Sequence, residues 1–420
     1  MLVTMDLRRC TNLAKLPTYL KLKSLRYLGL SECCKLESFP TIAENMKSLW
    51  GLDLDFTAIK ELPSSIGYLT QLYRLNLTGC TNLISLPNTI YLLRNLEKLL
   101  LSGCSRFGMF PHKWDPTIQP VWSPTKMMER ASWSLEFPHL PIQNESLCSH
   151  FTFLDLQSCN LSNAKFLEIL CDLAPFLSDL RLSKNKFSSL PSCVHKLISL
   201  GNLELRNCKL LQEIPNLPQN IQNLDAGGCE SLARSPDNIV DIISKKQDPT
   251  LGEISREFLL MGTDVPKWFS YKTTTNWMSA SFRHYPDMAR TLAACVSFKV
   301  NGSSSKRGAL ISCNIFICNR LHCSFSRPFL PLKSEYMWLI TTSLAWGSME
   351  VQDWNKVLVW FEVVDADDEV KVSIRRCGVH VTEELHGIQT DVKWPVVNYA
   401  DFYQVEKLQN LGWWISCWIE

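Results

Sequence analysis

Along the first half of the chain, apolar residues recur at the spacing LxxLxLxxC. Copies run through Leu25, Leu28, Leu30 and Cys33; Leu72, Leu75, Leu77 and Cys80; and Leu96, Leu99, Leu101 and Cys104. Further copies are Phe151, Leu154, Leu156 and Cys159; Leu200, Leu203, Leu205 and Cys208; and Ile221, Leu224, Ala226 and Cys229. Leu2, Met5, Leu7 and Cys10 conform, while Leu49, Leu52, Leu54, Thr57 and Leu177, Leu180, Leu182, Asn185 change only the last position. Neighbouring copies lie roughly 23 to 24 residues apart, the period of a stacked solenoid. Each copy is a short strand plus a return segment that cannot bury its leucines alone, so stacked neighbours must share one core. Leucines of the strand face inward, and the residues between them face the concave side.

The return segments carry an apolar residue followed by proline: Leu16-Pro17, Phe39-Pro40, Leu62-Pro63, Leu86-Pro87, Phe110-Pro111, Leu190-Pro191 and Ile214-Pro215. Proline fixes φ and removes a donor, which opposes long return helices and favours loops and single turns on the convex side. The residue closing each strand must hydrogen-bond nearby backbone, and a thiol can do so as a small hydrophobe with a weak donor. Seven of the 17 cysteines hold that place. Period and spacing together predict a leucine-rich-repeat solenoid, of α/β class with short parallel strands and a mostly irregular convex side, over residues 1–235.

The array is interrupted once, at 104–150, by a Pro-rich insertion with Trp114, Trp122 and Trp133. It is either a surface loop whose tryptophans pack back on the solenoid or a contact loop on the binding face. Paired prolines and Gly227-Gly228 shorten the last repeat, as expected of a cap, and 236–252 forms cap and linker. From about residue 253 the pattern changes to strands at Leu292–Val300, Ala309–Cys318, Tyr336–Thr342, Lys356–Val364 and Val370–Val381. Short strands with turn signals and no helical period predict an all-β jelly roll or sandwich over 253–384, followed by a tail at 385–420.

At 420 residues and 46% hydrophobic content the chain can bury two cores. A formal net charge of +2 carries no electrostatic footprint for nucleic acid or an anionic membrane. The start lacks the apolar core of a secretory signal, and no run approaches the ~18 apolar residues of a membrane span. Abundant cysteine without a signal points to a reducing interior, so the cytoplasm is expected, with the nucleus open. The sequons at Asn76, Asn144, Asn160 and Asn301 then read as chance matches. Met1 opens directly on a repeat strand with no polar cap, which suggests a fragment or a truncated paralogue of a longer protein.

The LxxLxLxxC repeats with their Leu-Pro tips, the atypical cap from Leu217 to Leu232, and the β-region behind them resemble the C-terminal half of plant intracellular immune receptors. The receptors in question are of the TIR, nucleotide-binding, leucine-rich-repeat type. The β-region resembles their post-repeat module, C-JID. Its opening motif corresponds to Met261-Gly262-Thr263-Asp264-Val265-Pro266-Lys267-Trp268-Phe269, and its late strand motif to Ile374-Arg375-Arg376-Cys377-Gly378-Val379. Met261 stands where the family has proline. No GxxxxGK[ST] loop is present, so nucleotide switching and TIR chemistry cannot be assigned to this chain.

Mixed-charge ladders on the concave face suit a protein partner read by electrostatic complementarity, although a solvated face carries such ladders without binding anything. The candidates among them are Asp53, Asp155, Arg181, Glu204 and Arg206. Tyr27, Trp50, Tyr73 and Phe153 are the aromatic anchors, their competing role being packing at the strand edge. The resemblance adds Asn301, Lys306 and Arg307 in a loop of the β-region, because loops of that module help contact the pathogen protein. Cys313, Cys318, His322 and Cys323 lack paired ligand spacing, and Cys377 and His380 point to opposite faces of one strand. Neither a cofactor, a metal nor a catalytic group is therefore expected. The resemblance implies a non-enzymatic, effector-sensing module whose partners are a pathogen effector and, in a full-length relative, a nucleotide-binding domain. An extracellular repeat ectodomain is the alternative, and it requires paired cysteines and glycosylation at Asn144 or Asn301.

Overall fold

The computed structural model describes residues 2–42, 46–108, 110–111, 150–232, 239–244, 255–262, 264–283, 290–301, 309–318, 320–329, 334–344, 354–365, 370–382 and 392–393. Two compact units divide them, Met1–Ile242 with Arg256–Met261, and Ile243–Ser255 with Gly262–Glu420.

The first unit is the solenoid. Its strands are β1 (Thr4–Asp6), β2 (Tyr19–Leu20), β3 (Tyr27–Gly29), β4 (Thr41–Ile42), β5 (Gly51–Asp53), β6 (Arg74–Asn76), β7 (Lys98–Leu100), β8 (Phe153–Asp155), β9 (Asp179–Arg181), β10 (Asn202–Glu204), β11 (Asn223–Asp225) and β12 (Arg256–Met261). All but β2 and β4 form one parallel ladder. Its register stacks Met5, Leu28, Leu52, Leu75, Leu99, Leu154, Leu180, Leu203, Leu224 and Phe258 in a single inward column. From Leu28 onward every member is buried, Leu99 included. Leu99 faces Leu154 directly, so the long insertion between β7 and β8 leaves the ladder unbroken. The insertion itself lies outside the described residues.

The closing thiols make the predicted bonds. Cys33, Cys80, Cys104, Cys159, Cys208 and Cys229 donate to the carbonyls of Leu7, Leu54, Leu77, Leu101, Leu182 and Leu205, each in the preceding repeat, at 3.0–3.3 Å. Cys10, in the first repeat, is exposed. Asn185 fills the same place with two donated bonds of 2.8 Å, to the Leu156 and Leu182 carbonyls, and accepts from the Leu161 N–H. The residue before each closing position has a left-handed backbone, from Arg9 and Glu32 through Phe56, Gly79 and Gly103 to Ser158, Lys184, Asn207 and Gly228. Every repeat thus turns its chain by one αL residue, which glycine supplies at no steric cost.

On the return side, Pro63, Pro87 and Pro191 sit at extended φ/ψ immediately before one-turn 3-10 helices, Ser64–Tyr68, Asn88–Leu92 and Ser192–Lys196. One return segment departs from this rule. It holds an α-helix, α1 (Phe166–Leu173), which buries Phe166, Leu167, Leu170, Cys171 and Leu173. That repeat has no Leu-Pro tip, so nothing prevents a second helical turn. The boundary expected at residue 253 also moves. β12 pairs in parallel with β11 and continues the ladder, because Phe258 occupies the inward leucine position.

In the second unit the strands are β13 (Tyr271–Thr273), β14 (Trp277–Arg283), β15 (Arg290–Asn301), β16 (Ala309–Ile317), β17 (Arg320–Phe329), β18 (Ser334–Leu344), β19 (Trp354–Asp365), β20 (Lys371–Thr382) and β21 (Val392–Lys393). One antiparallel sheet runs β18-β15-β20-β13 and another β17-β16-β19-β14-β21. The two close on an aromatic centre in which Phe329 of β17 lies edge-on to Phe298 of β15 at 4.7 Å and to Trp338 of β18 at 5.8 Å. The whole is a solenoid of short parallel strands followed by a β-sandwich. The two motifs read in the second half of the sequence meet there. A Cβ on Gly378 would lie 2.4 Å from Val265 and 3.0 Å from Phe269, so the missing side chain is what admits the Val265–Phe269 segment against β20. Arg376 pairs with Asp264 at 3.0 Å and Ser270 bonds the His380 ring at 2.7 Å, completing the clasp.

Candidate partner-binding face

Side chains on the outer side of the ladder stand in columns about 4.8 Å apart, close enough for each repeat to bond the next. Two networks result. In the first, the Tyr27 ring lies across Gly29 and Gly51, where a Cβ would meet it at 3.1 and 2.9 Å. Its hydroxyl donates to Asp53 at 2.6 Å, while Arg74 pairs with the other oxygen of the same carboxylate. Burial, then the bond to Asp53 and its charge, push the Tyr27 phenol up to about 12. Trp50 stands beside Tyr27 with ring centroids 6.1 Å apart and remains 48% exposed. Ser31 and Asn76 both donate to Asp55, at 2.7 and 2.9 Å. Tyr73 donates to Glu97 at 3.0 Å, with the Lys98 ammonium 5.7 Å from the Tyr73 ring centre.

The second network is centred on Arg181. Its guanidinium lies 4.8 Å from the centre of the Phe153 ring, bonds Asp179 at 3.0 Å and approaches Glu204 at 3.5 Å. Gln157 donates to Glu204 at 3.0 Å, Asn202 to Asp179 at 2.8 Å, and Arg206 pairs with Asp225. Burial raises the Glu204 carboxyl above its ordinary value against the opposing pull of Arg181. Between the two networks the column holds only Leu100, half-buried.

This arrangement changes the roles expected of the acids. Asp53 and Asp155 are buried. Tyr27 and Arg74, from the neighbouring repeats, roof Asp53, whereas the Oδ1 of Asp155 accepts from the backbone N–H of Gln157 in its own repeat at 3.0 Å. Arg181, Glu204 and Arg206 stay half-buried and paired within the face. Trp50 is exposed and Tyr73 and Phe153 are half-buried, so the apolar groups open to solvent come from the aromatics. Asn301 ends β15 in the second unit, while Lys306 and Arg307 lie outside the described residues.

Sequence reasoning missed Phe56. It is 55% exposed at φ +57°, and its ring covers Gly79, whose Cβ would lie 2.5 Å from it. Every other repeat places glycine or a polar residue there, so the single aromatic was visible once the repeats were set in register. Among the described residues no three His, Cys, Asp or Glu side chains are grouped to hold a metal, and no helix is long and apolar enough to cross a membrane. The Asn76 sequon is buried and bonded to Asp55.

The first half of the chain is a leucine-rich-repeat domain homologous to those of plant disease-resistance proteins. Residues 1–108 match the model of a leucine-rich repeat region. A probable disease resistance protein of Arabidopsis thaliana is 39% identical over 231 residues, covering 55% of this chain and 12% of its own length. The disease resistance-like protein DSC1 of the same plant is 36% identical over 232 residues, covering 55% and 14%. The TMV resistance protein N of Nicotiana glutinosa is 30% identical over 241 residues, covering 52% and 20%. The chain therefore spans a fifth or less of the length of these relatives.

Proposed function

We propose that this chain is a non-enzymatic, cytoplasmic recognition module that binds a pathogen effector protein through the concave repeat face, assisted by loops of a C-JID-like β-domain. In a full-length relative the same module would restrain a nucleotide-binding domain until the effector is bound. The observation that carries the reading is the distribution of groups on the face. Charges are tied to one another across repeats, and exposed ion pairs contribute only about 0–1 kcal/mol each, so they fix geometry more than they supply affinity. Aromatic anchors stand open beside them, Trp50 foremost, the composition typical of binding hot spots. Trp50, Tyr73, Phe153 and Arg181 are the proposed contact residues, with Asp53, Asp155, Glu204 and Arg206 holding them in place and Asn301, Lys306 and Arg307 contributing from the β-domain.

Co-purification of the chain with candidate effectors from pathogens of its host tests this reading. The Trp50→Ala and Phe153→Ala variants are expected to lose the captured effector while retaining the far-ultraviolet spectrum and melting temperature of the parent. Capture unchanged by both substitutions would remove the repeat face from the reading.

A further inference from the structure

Two cysteines outside the closing positions meet between successive return segments of the solenoid. Cys171 lies on α1, the return that follows β8, and Cys193 lies in the one-turn helix Ser192–Lys196 that follows β9. These two helices pack against each other. The Cys171 thiol donates to the Cys193 carbonyl at 3.1 Å, and the two thiols also hydrogen-bond one another. Burial, then the bond to Cys193 and its charge, raise the Cys171 thiol above its ordinary value, while Lys196 pulls it the other way. Both thiols are free; Cys171 is buried and Cys193 half-buried, so one member of the pair is reached from solvent. The repeat itself does not require this sulfur. Ser65 and Thr89 hold the place of Cys193 in the other two one-turn helices. Cys208 and Cys229 also lie in adjacent repeats, but both are fully buried and each is bonded to a carbonyl of the preceding repeat.

We propose that Cys171 and Cys193 form a reversible oxidation site, closed into a disulfide by exchange with a small disulfide of the oxidised glutathione type. Exchange needs a thiolate with an open line to the sulfur it attacks, so access sets the order of events. The Cys193 thiolate attacks one sulfur of oxidised glutathione, breaks its S–S bond and releases one glutathione. Cys171 loses its proton to the departing thiolate and attacks the Cys193 sulfur, forming the protein disulfide and displacing the second glutathione. The protein gives up two electrons and two hydrogens, and oxidised glutathione is reduced to two molecules of glutathione. The new bond staples the returns of the two repeats whose strands carry Phe153 and Arg181, the cation–π pair of the second network.

Equilibration of the full chain with reduced and oxidised glutathione, followed by alkylation under denaturing conditions and peptide mapping by mass spectrometry, tests the site. A peptide pair linked through Cys171 and Cys193, lighter by two hydrogens than its reduced parts, is expected, with Cys208 and Cys229 still alkylated. Dithiothreitol should return both thiols to the alkylated pool. Cys171→Ala is expected to arrest the reaction at a glutathione adduct on Cys193, and Cys193→Ser to leave Cys171 reduced. Oxidation of the parent should slow hydrogen exchange in α1, a change that both variants lose. A parent chain that keeps glutathione on Cys193 beside a free Cys171 would overturn the proposal. So would two reduced thiols in a buffer that modifies the exposed Cys10 and Cys34.

Discussion

The two units reach burial by opposite routes. In the solenoid the closing thiols bond the repeat next door, as when Cys104 donates to Leu77 or Cys229 to Leu205, so stability accumulates stepwise along the array. In the sandwich, neighbours in space are remote in sequence. Cys295 lies opposite Gly378, and Val265 and Phe269 close over that same glycine. Damage should therefore remain local in the first unit and spread through the whole of the second, a contrast that single substitutions can break.

The largest effect is expected from Leu203→Ala, stacked between Leu180 and Leu224 in the inward column and fully buried. Such truncations cost about 2–5 kcal/mol depending on how far the cavity collapses. Hydrogen exchange should accelerate in the repeats flanking Leu203 and stay unchanged in β15 and β20. Loss of protection across both units at once would refute the stepwise picture. Gly378→Ala should cost less, about 1–3 kcal/mol, by forcing a methyl into Val265 and Phe269. Its signature is breadth, since all strands of the sandwich should lose protection together.

Exchanges at the closing position sharpen the comparison within the array. Asn185→Cys gives up two of three hydrogen bonds in a buried site and should lower stability by about 1–3 kcal/mol in denaturant unfolding. Thr57→Cys places in repeat three what seven other repeats already carry, and should change stability by no more than about 0.5 kcal/mol. If the two substitutions cost the same, the closing slot is a matter of volume alone. Phe56→Gly should raise stability by about 1 kcal/mol, because a left-handed backbone is costly for a bulky residue and its ring is mostly in solvent. A melting temperature that falls instead would mean that stacking on Gly79 outweighs the backbone strain.

The inward column was legible in the sequence because the repeat imposes one requirement at one spacing, so Leu28, Leu52 and Leu75 announce themselves. β12 was not, since Phe258 alone keeps the pattern after a break of more than 25 residues from Asp225. β17 was missed for another reason. It lies at a sheet edge, and RLHCSFSRPF mixes polar outward positions with only Phe325 and Phe329 as large inward side chains. On the strand face, aromatic anchors could be read from their column, but their partners could not. Arg74 meets Asp53 from 21 residues away and Arg206 meets Asp225 from 19, separations that acquire meaning only after the repeats are in register.

The smallest effect probes that register directly. Tyr27 is held at about 12 against an ordinary 10.0, by burial first and by Asp53 second. A raised phenol keeps its proton longer in the native state than in the unfolded chain. Its contribution to stability is therefore whole below pH 10.0 and lost as pH rises toward about 12. Phenolate absorbance should show an alkaline step that Tyr27→Phe removes and that Asp53→Asn moves down only part of the way, because burial persists when the carboxylate charge is gone. An alkaline step untouched by Asp53→Asn would mean that the bond across repeats two and three does not form, and that the Tyr27 ring beside Trp50 lacks the tether drawn from its hydroxyl.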